Sequence, residues 1–303
     1  MSPEPPPVIA IFGPTGVGKT AVALALADRL RERGEDPVAI SADALQVYRG
    51  LEVLTGAAAA AERARLEHRL IGFVDPAATF SVGEFMPLAH EEIDAARAAG
   101  RRPIVVGGTG LYLRAALTEL SLAPAPPPKL RARLERAVEE RGAAEMHAEL
   151  RTRSPQAAAV IEPTDRTRIV RSLELLELGE EPPATEDSEL WAHDVRVPTS
   201  LFGLTMERDE LYRRIDARVD AMVSAGAAEQ VRRAAATGAS RTARAALGFE
   251  ELLAGDVEGM KQRTRQYAKR QLTWMRKLPD VEVIDLTGRA PDDVAGQIAD
   301  GVR

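Results

Sequence analysis

The chain has 303 residues, 45% of them hydrophobic, which is enough for a packed core and for one large domain or one domain carrying a second. It contains no cysteine, which excludes disulfides and thiolate metal sites. Its formal net charge of -6 argues against indiscriminate nucleic-acid affinity, so any nucleic-acid site has to be a local basic patch.

The N-terminal Met1-Ser2-Pro3-Glu4-Pro5-Pro6-Pro7 has neither the charged nor the apolar region of a secretory leader. No segment approaches the roughly 20 apolar residues of a membrane span. A reducing, cytoplasmic setting with no membrane partner is expected. The apolar run Val8 to Phe12 reads as a strand, and Ala21 to Leu30 has a helical pattern. Between them stands Gly13-Pro14-Thr15-Gly16-Val17-Gly18-Lys19-Thr20, a phosphate-binding loop in a strand-loop-helix setting. Its glycines let successive N–H groups turn toward an anion, Lys19 adds a point charge, and Thr20 offers a hydroxyl to Mg²⁺ at the helix N-terminus. The octet does not say which phosphate it holds.

Further apolar runs at Val38 to Ser41, Leu70 to Phe73 and Ile104 to Val106, with helical patterns between most of them, predict a parallel sheet covered by helices. Ser81-Val82-Gly83-Glu84 fits a capping box, and Gly100 is a helix stop. Pro124-Ala125-Pro126-Pro127-Pro128 is a stiff breaker, after which Lys129 to Leu178 reads as almost entirely helical. Strand-like runs return at Ser200 to Leu204 and Val281 to Ile284. The expected fold is α/β: a P-loop core over residues 1–121, an all-helical insertion over 122–196, and a return to the core over 197–303.

Ligands of an open parallel sheet gather beyond the carboxyl ends of its strands. The second strand runs into Asp43-Ala44-Leu45-Gln46, and the fourth into Gly107-Gly108-Thr109. Asp43 can serve there as a metal partner, a general base or a turn-capping carboxylate. The glycines allow close approach of a ligand, or make a simple strand-to-helix turn. Arg214 and Arg218 are one helical turn apart and can clamp a pyrophosphate or pair with surface acids such as Glu210. From Lys261 to Lys277 there are seven basic residues and no acid; Arg263, Arg270 and Lys277 recur on one side, Tyr267 and Trp274 on another. That segment is either a nucleic-acid face or a solvated helix with two core aromatics. His68, His90, His147 and His193 have no ligand spacing and are assigned to structure.

The ordered blocks GPTGVGKT (13–20), SADALQVYRG (41–50), GGTGLYLRAAL (107–117), DRTRIVRSLE (165–174), FGLTMERDELYRRIDARV (202–219) and TRQYAKRQLTWMR (264–276) together resemble the bacterial tRNA dimethylallyltransferases. The resemblance implies a core similar to nucleotide kinases. It also implies transfer of a dimethylallyl group from dimethylallyl diphosphate to N6 of the adenosine 3′ of the anticodon (position 37), in tRNAs reading codons that begin with U. Asp43 matches the family's general base, and Thr15 and Arg218 match groups on the leaving diphosphate, held by residues 13–20 with Mg²⁺ near Thr20. By the same resemblance Asp43, Ala44, Leu45, Gln46, Thr109, Arg131, Thr167, Arg168, Ile169, Val170 and Arg171 lie against the tRNA anticodon stem-loop, gripped by the helical insertion. Ala44 replaces a common serine, Thr55-Gly56-Ala57-Ala58 replaces TAKP, and Ala246-Leu247-Gly248-Phe249-Glu250 replaces AIGYKE. A P-loop phosphotransferase or ATPase binding ATP at the loop is the competing enzyme reading, and an RNA-binding module with a vestigial loop is the non-enzymatic one. Nothing in the pattern demands more than a monomer.

Overall fold

The computed structural model describes residues 4–123, 125–183 and 194–302. Pro124, His193 and the first three residues, all used above, lie outside the described residues. Two compact units are formed, one from Met1–Glu119 with His193–Arg303 and one from Leu120–Ala192.

In the first unit the chain runs β1 (Val8–Phe12), α1 (Lys19–Glu32), β2 (Pro37–Ala42), the short α2 (Glu52–Thr55) and α3 (Ala60–Arg65), β3 (His68–Arg69), α4 (Val82–Ala98), β4 (Arg102–Gly107) and α5 (Gly110–Leu117). The second unit holds α6 (Pro128–Arg141), α7 (Ala143–Arg153), α8 (Pro155–Ala159) and α9 (Arg166–Glu177). The first unit then resumes with β5 (Thr199–Thr205), α10 (Arg208–Ser224), α11 (Ala227–Ala236), α12 (Arg241–Arg244), α13 (Phe249–Leu253), α14 (Val257–Met275), β6 (Glu282–Asp285) and α15 (Pro291–Gly301).

The six strands among the described residues pair in parallel, in the order β3-β2-β4-β1-β5-β6. Every residue of β1 is buried, as an inner strand covered on both faces requires, and this explains its unbroken apolar sequence. On one face Ile9, Ile11, Ile104 and Phe202 pack with α1 and α15 through Leu26, Leu30, Val294 and Ile298. A separate cluster, including Tyr48, Leu51, Val219, Val231, Phe249 and Met260, ties the segment after β2 to α10, α11, α13 and α14. The register Ile11↔Val106 and Ser41↔Val106 brings the carboxyl ends of β1, β2 and β4 side by side.

The capping box at α4 forms as expected: Ser81 Oγ accepts from Glu84 N at 3.3 Å, and Glu84 Oε2 accepts from Ser81 N at 2.9 Å. The strand expected at Leu70 to Phe73 does not form. Leu70 (φ 60°) and Gly72 (φ 63°) are left-handed, which breaks an extended chain, and the residues paired with β2 are His68 and Arg69. The apolar run instead turns so that Val74 bridges Tyr48. The basic helix also ends earlier than its spacing suggests, leaving Arg276 and Lys277 past Met275.

The second unit has its own core of Leu134, Val138, Met146, Leu150, Ile161, Ile169 and Leu173. His147 Nε2 faces two carbonyl oxygens, Ala158 at 3.0 Å and Ile161 at 2.9 Å, so it is the protonated nitrogen and the residue is structural.

Candidate active site

The loop Gly13 to Gly18 leaves β1 and ends in Gly18, the left-handed N-cap of α1 at φ 109°. Val17 is fully buried and anchors the turn, with its N–H donated to Pro14 O at 3.3 Å. Lys19 folds back on the loop and donates to Gly13 O (2.9 Å) and Pro14 O (3.1 Å). Burial, and secondly the nearby Arg218 guanidinium, push its pKa down to about 8, while the Asp43 carboxylate opposes the shift. Thr20 follows in the first turn of α1.

Asp43 stands just past β2. Its Oδ1 accepts from Leu45 N at 2.9 Å and Gln46 N at 3.3 Å, so the carboxylate caps its own turn through one oxygen. Ser41 Oγ donates to Gln46 Oε1 at 2.9 Å and fixes that side chain. Past β4, Thr109 Oγ1 is 3.3 Å from the Tyr267 hydroxyl of α14. Burial and then the Asp43 charge push the Tyr267 phenol up to about 12, so it stays protonated and able to donate near neutrality.

Arg218 projects from α10. Its Nη2 donates to Gly56 O at 3.1 Å, and its buried Nε has no hydrogen-bond partner among the described residues. Desolvation lowers its pKa, opposed by Glu62 and Asp43. A Cβ on Gly56 would collide with this guanidinium where it now lies. Arg214, one turn earlier, does not join it. Its guanidinium lies beside Gly18, and its Nη1 is 3.9 Å from Met206 Sδ.

Thr15, Gly16, Gly18, Lys19, Thr20, Asp43, Leu45, Gln46, Gly108, Arg218, Tyr267 and Gln271 line one cavity of about 770 Å³. It thus brings together the phosphate loop, a carboxylate and a guanidinium whose buried Nε is unpaired among the described residues. Among the described residues no group of three or more His, Cys, Asp or Glu side chains is placed to hold a metal ion.

In the second unit, Arg131 forms a two-pronged pair with Glu174, Nε to Oε1 at 2.7 Å and Nη2 to Oε2 at 2.8 Å, and Arg171 shares that carboxylate at 3.3 Å. The Glu174 side chain is wholly buried, so these arginines neutralise it. Ile169 and Val170 are core residues, 0% and 8% exposed, and cannot offer their side chains to a ligand. Thr167 and Arg168 are exposed.

Gln271 was not among the residues singled out from sequence. Its only available signal is the spacing Tyr267, Gln271, Trp274, which puts three side chains on one face of α14.

A parallel sheet with a phosphate loop at the carboxyl end of an inner strand, and a carboxylate beside it, defines the P-loop-type class of group-transfer folds. The IPP transferase family model matches residues 46–278 and the isopentenyl transferase model matches residues 6–71. A tRNA dimethylallyltransferase of Thermomicrobium roseum is 41% identical over 93% of this chain and 87% of its own length. One from Thermobifida fusca is 40% identical over 93% and 92%. The crystal structure of the full-length tRNA isopentenylpyrophosphate transferase of Bacillus halodurans matches with TM-score 0.68, 34% identity and coverage of 98% and 95%. A eukaryotic dimethylallyltransferase acting on tRNA matches with TM-score 0.72 at 25% identity, covering 93% of this chain and 74% of that one. The chain belongs to the IPP transferase family, whose members are prenyltransferases.

Proposed function

We propose that the chain transfers a dimethylallyl group from dimethylallyl diphosphate to N6 of adenosine 37, 3′ of the anticodon, in tRNAs reading codons that begin with U. The observation that carries this reading is the meeting of Asp43, the phosphate loop and the unpartnered Arg218 Nε around one cavity. The N6 lone pair attacks C1 of the dimethylallyl group, the C1–O bond breaks, and its electron pair leaves with the diphosphate. An adenine amine is a weak nucleophile, and Asp43 accepts its proton as the bond forms. Oδ1 stays on the Leu45 and Gln46 amides, leaving Oδ2 for that task.

Negative charge grows on the departing diphosphate. The loop N–H groups, Lys19, the Thr15 hydroxyl and Arg218 are set to stabilise it. Lys19 and Arg218 now lean on backbone carbonyls, Gly13, Pro14 and Gly56, which a diphosphate oxygen replaces as partner. Thr20, in the first turn of α1 on the cavity wall, would hold Mg²⁺ beside the diphosphate, a hard cation suited to oxygen donors. There it would supply neutralisation of the leaving group's charge.

On the acceptor side the target base has to be unstacked to reach Asp43, and Ala44, Leu45, Gln46 and Thr109 form the surface it meets. The second unit grips the anticodon stem-loop through Thr167, Arg168 and Arg171 on α9, with Arg131 holding Glu174 and Arg171 in place. Action on tRNA as a monomer in the cytoplasm completes the reading; among the described residues no helix is long and apolar enough to cross a membrane.

The test is incubation with labelled dimethylallyl diphosphate and an unmodified anticodon stem-loop, followed by nuclease digestion to locate the label. Label on N6 of adenosine 37 is the expected result. No label in the RNA, with ATP giving greater thermal stabilisation than dimethylallyl diphosphate, would favour a phosphotransferase.

A further inference from the structure

Three side chains along one face of α14 close on the turn after β4. The Tyr267 hydroxyl meets Thr109 Oγ1 at 3.3 Å, Gln271 Nε2 donates to Gly108 O at 2.7 Å, and the Trp274 indole covers Gly110. A Cβ on Gly108 would collide with Gln271, and one on Gly110 with Trp274, so both glycines are there to admit these side chains.

Gln271 alone reaches further. Its Oε1 accepts the Thr15 N–H at 2.8 Å, so one carboxamide joins the phosphate loop to the acceptor-side turn. The orientation of this amide is forced, because Thr15 N can only donate and Gly108 O can only accept. The side chain is 4% exposed and satisfied at both ends. Neither a carboxylate nor an aliphatic side chain of that size can make both bonds.

With its N–H turned to Gln271, the Thr15 peptide does not contribute to the ring of donors facing a bound anion. Thr15 itself lines the cavity, so its hydroxyl is the donor left to serve the anion. We infer that Gln271 is a positioning residue for group transfer: it fixes the Thr15 peptide, and with it the hydroxyl on the leaving diphosphate, relative to the Gly108-Thr109 turn that meets the acceptor base. The inference rests on the transfer reading above. A reaction between two bound substrates needs their holders in fixed register, and misplacement by about 1 Å costs on the order of 100-fold in rate.

The experiment first confirms transfer by the wild-type chain; its absence would count against the transfer reading, not against this role. Thr15→Ala, Gln271→Leu and the double variant are then compared, with melting curves as a check on folding. Gln271→Leu is expected to lower kcat about 10- to 100-fold. In the double variant, Thr15→Ala should add less than about threefold, because the hydroxyl is already misplaced. A purely structural role predicts multiplicative losses, and these, or an unchanged kcat in Gln271→Leu, overturn the inference. Should Gln271→Leu not fold, Gln271→Glu replaces it in the same cycle. It keeps an acceptor for the Thr15 N–H and, while ionised, loses the donor to Gly108 O. A wild-type kcat in Gln271→Glu likewise overturns the role, whereas a loss that is non-additive with Thr15→Ala sustains it.

Discussion

The Lys19 ammonium rests between two loop carbonyls, and burial beside Arg218 lowers its pKa from 10.5 to about 8 against the pull of Asp43. Below that pH the free protein carries the charge a diphosphate needs, and above it the charge is lost. Donor kcat/KM is therefore expected to fall above about pH 8. The limb in kcat should lie at higher pH, because a bound anion favours the ammonium form. Initial rates measured across this range check it, and coincident limbs in kcat and kcat/KM would reject the assignment to Lys19. Asp43→Asn keeps an acceptor for the Leu45 and Gln46 amides and removes the base. Transfer should fall by about 10²- to 10⁴-fold while stem-loop affinity changes less than about threefold. Lys19 and Asp43 were legible in the sequence because Asp43 sits directly after β2 and Lys19 ends the glycine-rich loop that follows β1, where chain position alone puts both at the sheet's carboxyl edge. Gln271 was not, because its partners are backbone atoms 256 and 163 residues away, and pairing over such distances leaves no local pattern.

Among the elements, α14 combines two roles that its sequence presents as alternatives. Lys261 pairs with Asp220 and Glu258, Arg263 with Glu251, and Arg265 with Asp216, so much of its charge serves packing against α10 and α13. Lys269 and Arg270 are exposed, Arg270 lying over the Tyr267 ring at 5.5 Å. The aromatic positions are neither plain core nor free surface; they cover the turn that opens α5. Gly110→Ala should push Trp274 out of place and destabilise the protein by about 1–3 kcal/mol in urea unfolding. Gly110→Ala combined with Trp274→Phe should recover part of that loss, and an equal or greater loss would show that the indole is not the obstacle. The strands were readable wherever both faces are covered, as in Val8–Phe12. Apolar content misled at Leu70 to Phe73, because hydrophobicity there anchors a left-handed turn and periodicity cannot register the sign of φ.

For the whole molecule the informative contact is the backbone bond from Arg196 N to Leu117 O at 2.8 Å. It lies within the first unit and brings together the strands of chain from which the second unit departs and to which it returns. The second unit has a core of its own around Leu134, Leu150, Ile169 and Leu173, and the first unit's sheet is complete without it. Replacing Leu120–Ala192 by a short Gly-Ser linker should therefore leave a folded protein. Because Lys19, Asp43, Arg218 and Gln271 all belong to the first unit, that protein should still be stabilised thermally by diphosphate with Mg²⁺. Its affinity for the stem-loop should drop by about 100-fold or more, since the grip proposed for Thr167, Arg168 and Arg171 is removed. Calorimetry with diphosphate and filter binding with the stem-loop separate the two outcomes. Undiminished stem-loop binding would move RNA recognition to the first unit, and loss of diphosphate stabilisation would mean that the cavity depends on the excised helices.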